Sequence, residues 1–161
     1  MAPEYQDQRM KIRVIGCGNP LMGNDAVGIR IIERLEREFP DIDVVEGGVG
    51  GMGLIPLMEG YDAILIVDAT TGFGKPGDIH VFSDDIPSSE VFPMSLHDFG
   101  LAEALEMAGV IGVKPHIVII AIEGGEINEF SPTMDPVVES AMEIAYQKVL
   151  DELEKIEGVL D

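Results

Sequence analysis

Asp25, Asp68 and His97 are the residues whose types and settings could do chemistry together. Two carboxylates and an imidazole make a mixed oxygen and nitrogen set suited to nickel, zinc or a similar divalent ion. Asp25 follows the turn Gly16-Cys17-Gly18-Asn19, Asp68 closes the apolar run Ala63–Val67, and His97 stands in Ser95-Leu96-His97-Asp98. Each also has a plainer structural reading. Asp25 suits the first turn of a helix, where the dipole favours a carboxylate, Asp68 suits a loop or a cap, and His97 suits a partly buried polar position. Elsewhere, His80 falls inside an expected strand and His116 opens another, which suits sheet-surface roles. Cys17, between two glycines, reads as a small buried residue beside a turn rather than a nucleophile. No Ser lies in a Gly-x-Ser-x-Gly elbow, so serine hydrolase chemistry has no support.

The elements that must position these groups follow from alternating apolar and amphipathic segments, the pattern of a layered α/β domain. Strands are expected over Lys11–Gly16, Ile42–Val45, Ala63–Val67, Ile79–Phe82 and Ile117–Ile122. A helix over Asp25–Phe39 puts Val27, Ile31, Ile32, Leu35 and Phe39 on one face. A short helical stretch is expected near Leu54–Met58, and a longer one from about Leu96 to Ala108, ended by Gly109. The last helix starts near Met134, with Val138, Met142, Ala145, Val149 and Leu153 along one face. Asn24 is a natural N-cap, which places Asp25 in the first turn behind it. Ser95 and Asp98 have the capping-box spacing, so His97 also falls in a first turn, whose positive end keeps its imidazole neutral. The expected fold is a single doubly wound, mainly parallel sheet of about five strands with helices on both faces. Such sheets bind ligands at the carboxyl ends of their strands, and all three segments follow strands. In a parallel sheet all three groups therefore reach one edge.

Composition sets the outer bounds. The 161 residues fit one domain, 11–157, behind a flexible N-terminal segment 1–10. With 46% apolar residues the chain can build its own core, and its one cysteine, Cys17, cannot form an internal disulfide. No secretory signal is visible at the start and no apolar run is long enough to cross a bilayer, so a cytoplasmic protein without membrane insertion is expected. The net charge of −20, thirty acids against ten bases, excludes nucleic acid as a natural partner. It reads as a solvated surface, or as an electrostatic preference for a basic partner. Gly16-x-Gly18 after a first strand, with Glu46 after the second, invites a dinucleotide site. Against it, the third glycine is displaced to Gly23, and Pro20 and Leu21 crowd the loop, so no nucleotide cofactor is expected.

Four motifs resemble a known family. Gly16-Cys17-Gly18-Asn19-Pro20-Leu21-Met22-Gly23-Asn24-Asp25-Ala26-Val27-Gly28 is similar to the opening motif of the [NiFe]-hydrogenase maturation proteases. Glu46-Gly47-Gly48-Val49-Gly50-Gly51, Leu65-Ile66-Val67-Asp68-Ala69 and Ser95-Leu96-His97-Asp98-Phe99-Gly100-Leu101 continue the likeness in the family's order, Glu46 standing where Asp is common. The resemblance implies an endopeptidase, metal-dependent and of aspartic or metallo type. It would remove the C-terminal extension of a hydrogenase large-subunit precursor after nickel insertion. It also implies that Asp25, Asp68 and His97 form the catalytic and metal-binding set, with nickel carried in by the substrate rather than held permanently. Asn19, Gly47 and Gly48 are expected to line the substrate cleft. A non-catalytic nickel or large-subunit chaperone is the competing class, and a nucleotide-binding α/β protein the more distant one.

Overall fold

The apolar run around Leu65 forms the central strand of the domain, Ala63–Thr70, buried at every position. The computed structural model describes residues 10–83, 100–125 and 133–158. In chain order its strands are β1 (Ile12–Cys17), β2 (Asp43–Gly48), β3 (Ala63–Thr70), β4 (Ile79–Phe82) and β5 (His116–Glu123). They form one sheet in the order β2-β1-β3-β5-β4, parallel throughout except that β4 runs antiparallel to β5. Along β3, Ala63, Leu65, Val67 and Ala69 enter one apolar core while Ile64 and Ile66 enter the other. Covering both faces is what requires an unbroken apolar run in place of simple alternation.

The helices are α1 (Val27–Glu38), α2 (Leu54–Met58), α3 (Leu101–Val110) and α4 (Pro136–Gly158). One core joins Val27, Ile31, Ile32 and Leu35 of α1 to Val138, Ala145, Tyr146 and Val149 of α4 across Val14, Leu65 and Ile120. The other joins Leu54 and Met58 of α2 to Leu101, Ala104 and Ala108 of α3 across Ile15, Ile66 and Ile119. Each fully buried aliphatic side chain contributes about 1.5–3 kcal/mol, so these two layers carry the fold. Outside the first core, the Arg34 guanidinium stacks 3.9 Å from the Tyr146 ring centre, and the Tyr146 hydroxyl donates to Glu38. Met10 packs against the first core, ahead of the expected domain start.

Several boundaries differ from the sequence expectation. A 3-10 turn over Gly23–Ala26 precedes α1, so Asp25 lies ahead of the α-helix and Asn24 is not its cap. Phe39 falls outside α1 and is 44% exposed. β2 extends to Gly48, because β1 pairs with it as far as Cys17↔Gly48, past an irregularity at Gly16/Cys17. β3 continues past Val67, because Asp68, Ala69 and Thr70 pair with Ala121, Ile122 and Glu123. Asp68 is thus an interior strand residue rather than its end.

Helix α3 begins at Leu101 behind an extended Gly100 and runs through Gly109. It ends at Val110, and the chain turns away at Gly112, whose φ of +92° suits glycine. The N–H groups of Gly112 and Val113 return to the carbonyls of Gly109 and Ala108, closing the helix end. Ser95, His97 and Asp98 lie outside the described residues. Helix α4 starts at Pro136, the first position that tolerates a missing N–H.

The antiparallel β4 removes one premise about His97. Residues after a strand reach the shared carboxyl edge only if that strand is parallel to the rest. The carboxyl end of β4 points to the opposite edge, so strand order by itself does not carry His97, which lies outside the described residues, to the edge shared by Asp25 and Asp68.

Candidate active site

Glycines set the first acid in place. Gly18 adopts φ +136°, and a Cβ there would lie 1.9 Å from the carbonyl oxygen of Asp25. A Cβ on Gly28 would lie 2.5 Å from the carbonyl oxygens of both Cys17 and Val67, and one on Gly16 would lie 2.6 Å from Gly28 O. These residues let the 3-10 turn and the start of α1 fold directly onto β1 and β3. The glycine-rich segment is therefore a close-packing device that returns Asp25 to the end of β1. Asp25 is 1% exposed, and its Oδ2 accepts the Asn19 N–H at 2.9 Å. The loop donor that a nucleotide phosphate would need is already taken by a carboxylate, which argues against the dinucleotide reading.

Asp68 is held by the sheet. Its register places it on the face shared with Ile64 and Ile66, and it is 3% exposed. Its Oδ1 accepts the Ala69 N–H at 2.8 Å. Burial, and then the charge of Asp25, push its pKa up to about 8, with the Ala69 N–H acting in the other direction. The Cys17 thiol is also pushed well up, first by burial and then by the charges of Asp68 and Asp25. All three groups share one field, so the structure does bring Asp25 and Asp68 together. A buried thiol with a raised pKa is a poor nucleophile, in agreement with the structural reading of Cys17.

The raised Asp68 pKa has a consequence for stability. The unfolded carboxyl titrates near its ordinary value of 3.8, the folded one at about 8. Between those values the folded state holds the extra proton, so stability falls as pH rises through that window. Asp68→Asn carries no such proton. In metal-free, chelator-treated protein, its stability relative to wild type should therefore grow from pH 5 to pH 8, by on the order of a few kcal/mol, and level off above. Urea unfolding at a series of pH values measures this. A difference that stays constant with pH would refute it.

Gly47 and Gly48 end β2 beside β1, and Gly48 O accepts the Gly18 N–H at 2.7 Å. A Cβ on Gly47 would meet Ile15, Leu54 and Cys17 Sγ at 2.7–2.9 Å, whereas Gly48 faces open space at φ +61°. Leu21, Val49 and Met52, on the loops leaving β1 and β2, are 63%, 55% and 49% exposed. Glu46 is exposed and takes no part in the buried pair. His80 packs edge-on against Phe73 with ring centres 4.7 Å apart, and His116 opens β5 in an exposed position, both as sheet-surface residues. Among the described residues, no three His, Cys, Asp or Glu side chains converge to hold a metal. His97, the expected third member, lies outside them. Among the described residues, no helix is long and apolar enough to cross a membrane.

Two polar groupings escaped the sequence reading. Glu123 is 1% exposed and accepts the Thr70 hydroxyl at 3.1 Å and the N–H groups of Gly72 and Phe73 at 2.8 and 3.2 Å. It anchors the loop that leaves β3 just past Asp68. Its signal was present in the sequence, an acid closing an apolar strand as Asp68 closes the run Ala63–Val67. Asn24 is 6% exposed and bonds to Gly124 and Asp135, a pairing across the chain with no local signal.

Comparison with known proteins agrees with this geometry. The sequence model of the family described as hydrogenase maturation protease (HycI) matches residues 29–152. The hydrogenase 2 maturation protease of Escherichia coli K12 is 32% identical over 146 residues, covering 88% of this chain and 89% of that protein. The hydrogenase expression/formation protein HoxM of Cupriavidus necator is 30% identical, covering 90% and 75%. The structure of the hydrogenase maturating endopeptidase HybD from E. coli superposes with a TM-score of 0.76 at 31% identity, covering 91% and 93%. With the fold, the order of motifs and the sequence all in agreement, the chain belongs to the hydrogenase maturation protease family.

Proposed function

We propose that this maturation endopeptidase acts in the cytoplasm on a hydrogenase large-subunit precursor. It removes the C-terminal extension after nickel insertion and reads the substrate's own nickel with Asp25, Asp68 and His97. The buried pairing of Asp25 and Asp68 at the carboxyl edge carries this reading. The charge of Asp25 raises the proton affinity of the buried Asp68, so the site favours added positive charge, which a divalent cation supplies and which oxygen donors suit. The nickel, when the precursor brings it, supplies charge that offsets both carboxylates and polarises a nearby carbonyl. Asn19 N–H holds Asp25 Oδ2 in a fixed direction, so this ligand needs little reorganisation. Asp68, largely protonated at neutral pH without the cation, gives up its proton as the cation arrives. Asn19, Gly47 and Gly48 line the cleft, and exposed Leu21, Val49 and Met52 offer apolar contact to the precursor chain.

The direct experiment is intact-mass spectrometry of nickel-loaded precursor incubated with and without this protein. One cut near the C-terminus, dependent on the protein, is expected. A precursor of unchanged length that stays bound to the protein would replace this function with that of a chaperone.

A further inference from the structure

Asn24, next to Asp25 in the same 3-10 turn, uses both ends of its amide on distant parts of the chain, Gly124 and Asp135. Its Nδ2 donates to Gly124 O and to Asp135 Oδ2, each at 2.9 Å. Its Oδ1 accepts the Asp135 backbone N–H at 2.8 Å. Gly124 directly follows β5, and Asp135 directly precedes α4. Asp135 O accepts the N–H groups of Val138 and Glu139, so the bonds between Asn24 and Asp135 fasten the turn to the head of α4, and the bond to Gly124 O fastens it to the end of β5. The carboxylate of Asp135, at a position where such a group commonly caps its own helix, is turned instead to Asn24. On the other side, the same turn is fastened to β1 by Asn19 N–H on Asp25 Oδ2 and by the close approach of Gly18 to Asp25 O. The turn bearing Asp25 is thus held at two ends, one on β1 and one on α4.

We propose that the Asn24–Asp135 pair is a positioning element for the peptide-cleaving site, fixing the Asp25 carboxylate by tying its turn to the head of α4. The proposal rests on Asp25 belonging to that site. It differs from simple stabilisation because the two residues are chemically unequal. Asn24→Asp removes both donor bonds and sets a carboxylate against the Asp135 carboxylate. Asp135→Asn still offers an amide oxygen to Asn24 Nδ2. The double exchange Asn24→Asp/Asp135→Asn restores a donor and an acceptor with their places reversed, at the loss of the bond to Gly124 O.

Steady-state processing of nickel-loaded precursor, well below each variant's melting temperature, tests this. Asn24→Asp should lower kcat about tenfold or more while KM stays within about twofold, since misplacing a reacting group costs rate. Asp135→Asn should stay within about twofold of wild type, and the double exchange should recover most of the lost kcat. A merely stabilising pair would lower the melting temperature and leave kcat of the folded protein unchanged, which would overturn the proposal. Should Asn24→Asp not fold, a folded double exchange with kcat near wild type would support it, and a folded but inactive one would overturn it. Asp25→Ala run in parallel separates the two levels. If that variant processes normally, the site assignment falls and the positioning role with it. If it is inactive while Asn24→Asp keeps full kcat, only the positioning role falls.

Discussion

Replacing Asp25 or Asp68 with Ala should abolish precursor processing, by at least about a hundredfold in kcat, while leaving the chain folded. The loss is expected to be large because Asp25 and Asp68 lie close enough for the charge of one to raise the pKa of the other, so a divalent cation at the site would meet both. Removing either leaves too little negative charge to meet a divalent cation. His97→Ala belongs to the same set through the family resemblance, and the same loss is expected. The fold should survive because neither carboxylate contributes to the apolar layers. Asp68→Ala releases a single Ala69 N–H and removes a buried group whose ionisation is disfavoured. Asp25→Ala releases the Asn19 N–H, at a cost of about 1 kcal/mol. Circular dichroism and a gel-mobility assay on the precursor read the two properties separately. Full activity in any one variant removes that residue from the site.

Much of the fold was legible because burial on both faces of β3 and the spacing of Val27, Ile31, Ile32 and Leu35 leave periodic marks in the sequence. Strand direction leaves none. Ile79–Phe82 reads the same whether it runs with β5 or against it, and that is where the shared-edge expectation for His97 lost its support. The limits of β3 were also hidden. Asp68 interrupts an apolar run, yet its backbone still pairs with Ala121, because ladder hydrogen bonds do not depend on side-chain polarity. Asp25 and Asp68 could be selected from their positions after apolar strands, and the structure brings both together. Asn24 could not be understood that way. A residue of cap type before an apolar helix has a local explanation, and only the fold reveals partners one hundred or more positions away. The glycines were legible as a turn, but their cause is tertiary. It is the approach of Asp25 O to Gly18, and of Gly28 to the carbonyls of Cys17 and Val67.

Nickel-loaded precursor should be cut once near its C-terminus, while nickel-free precursor and unfolded casein remain intact. If the ion travels with the substrate, the protease contributes an incomplete coordination shell, and the charge of Asp25 beside the buried Asp68 favours the arrival of a cation. Without the ion, substrate binding must also contend with a pair that holds a proton at neutral pH. Binding energy from the ion positions the scissile bond, so its loss should lower rate as well as affinity, by a hundredfold or more as an order-of-magnitude estimate. Free nickel added to the protease should not substitute, since the ion must be fixed relative to the bond that is cut. Serine-directed and cysteine-directed inhibitors should have no effect, because no serine elbow is present and Cys17 is buried with a raised pKa. A time course with matched nickel-loaded and nickel-free precursor, read by intact mass, decides the matter. Equal cleavage of both forms would sink the substrate-metal mechanism and leave the peptidase itself standing.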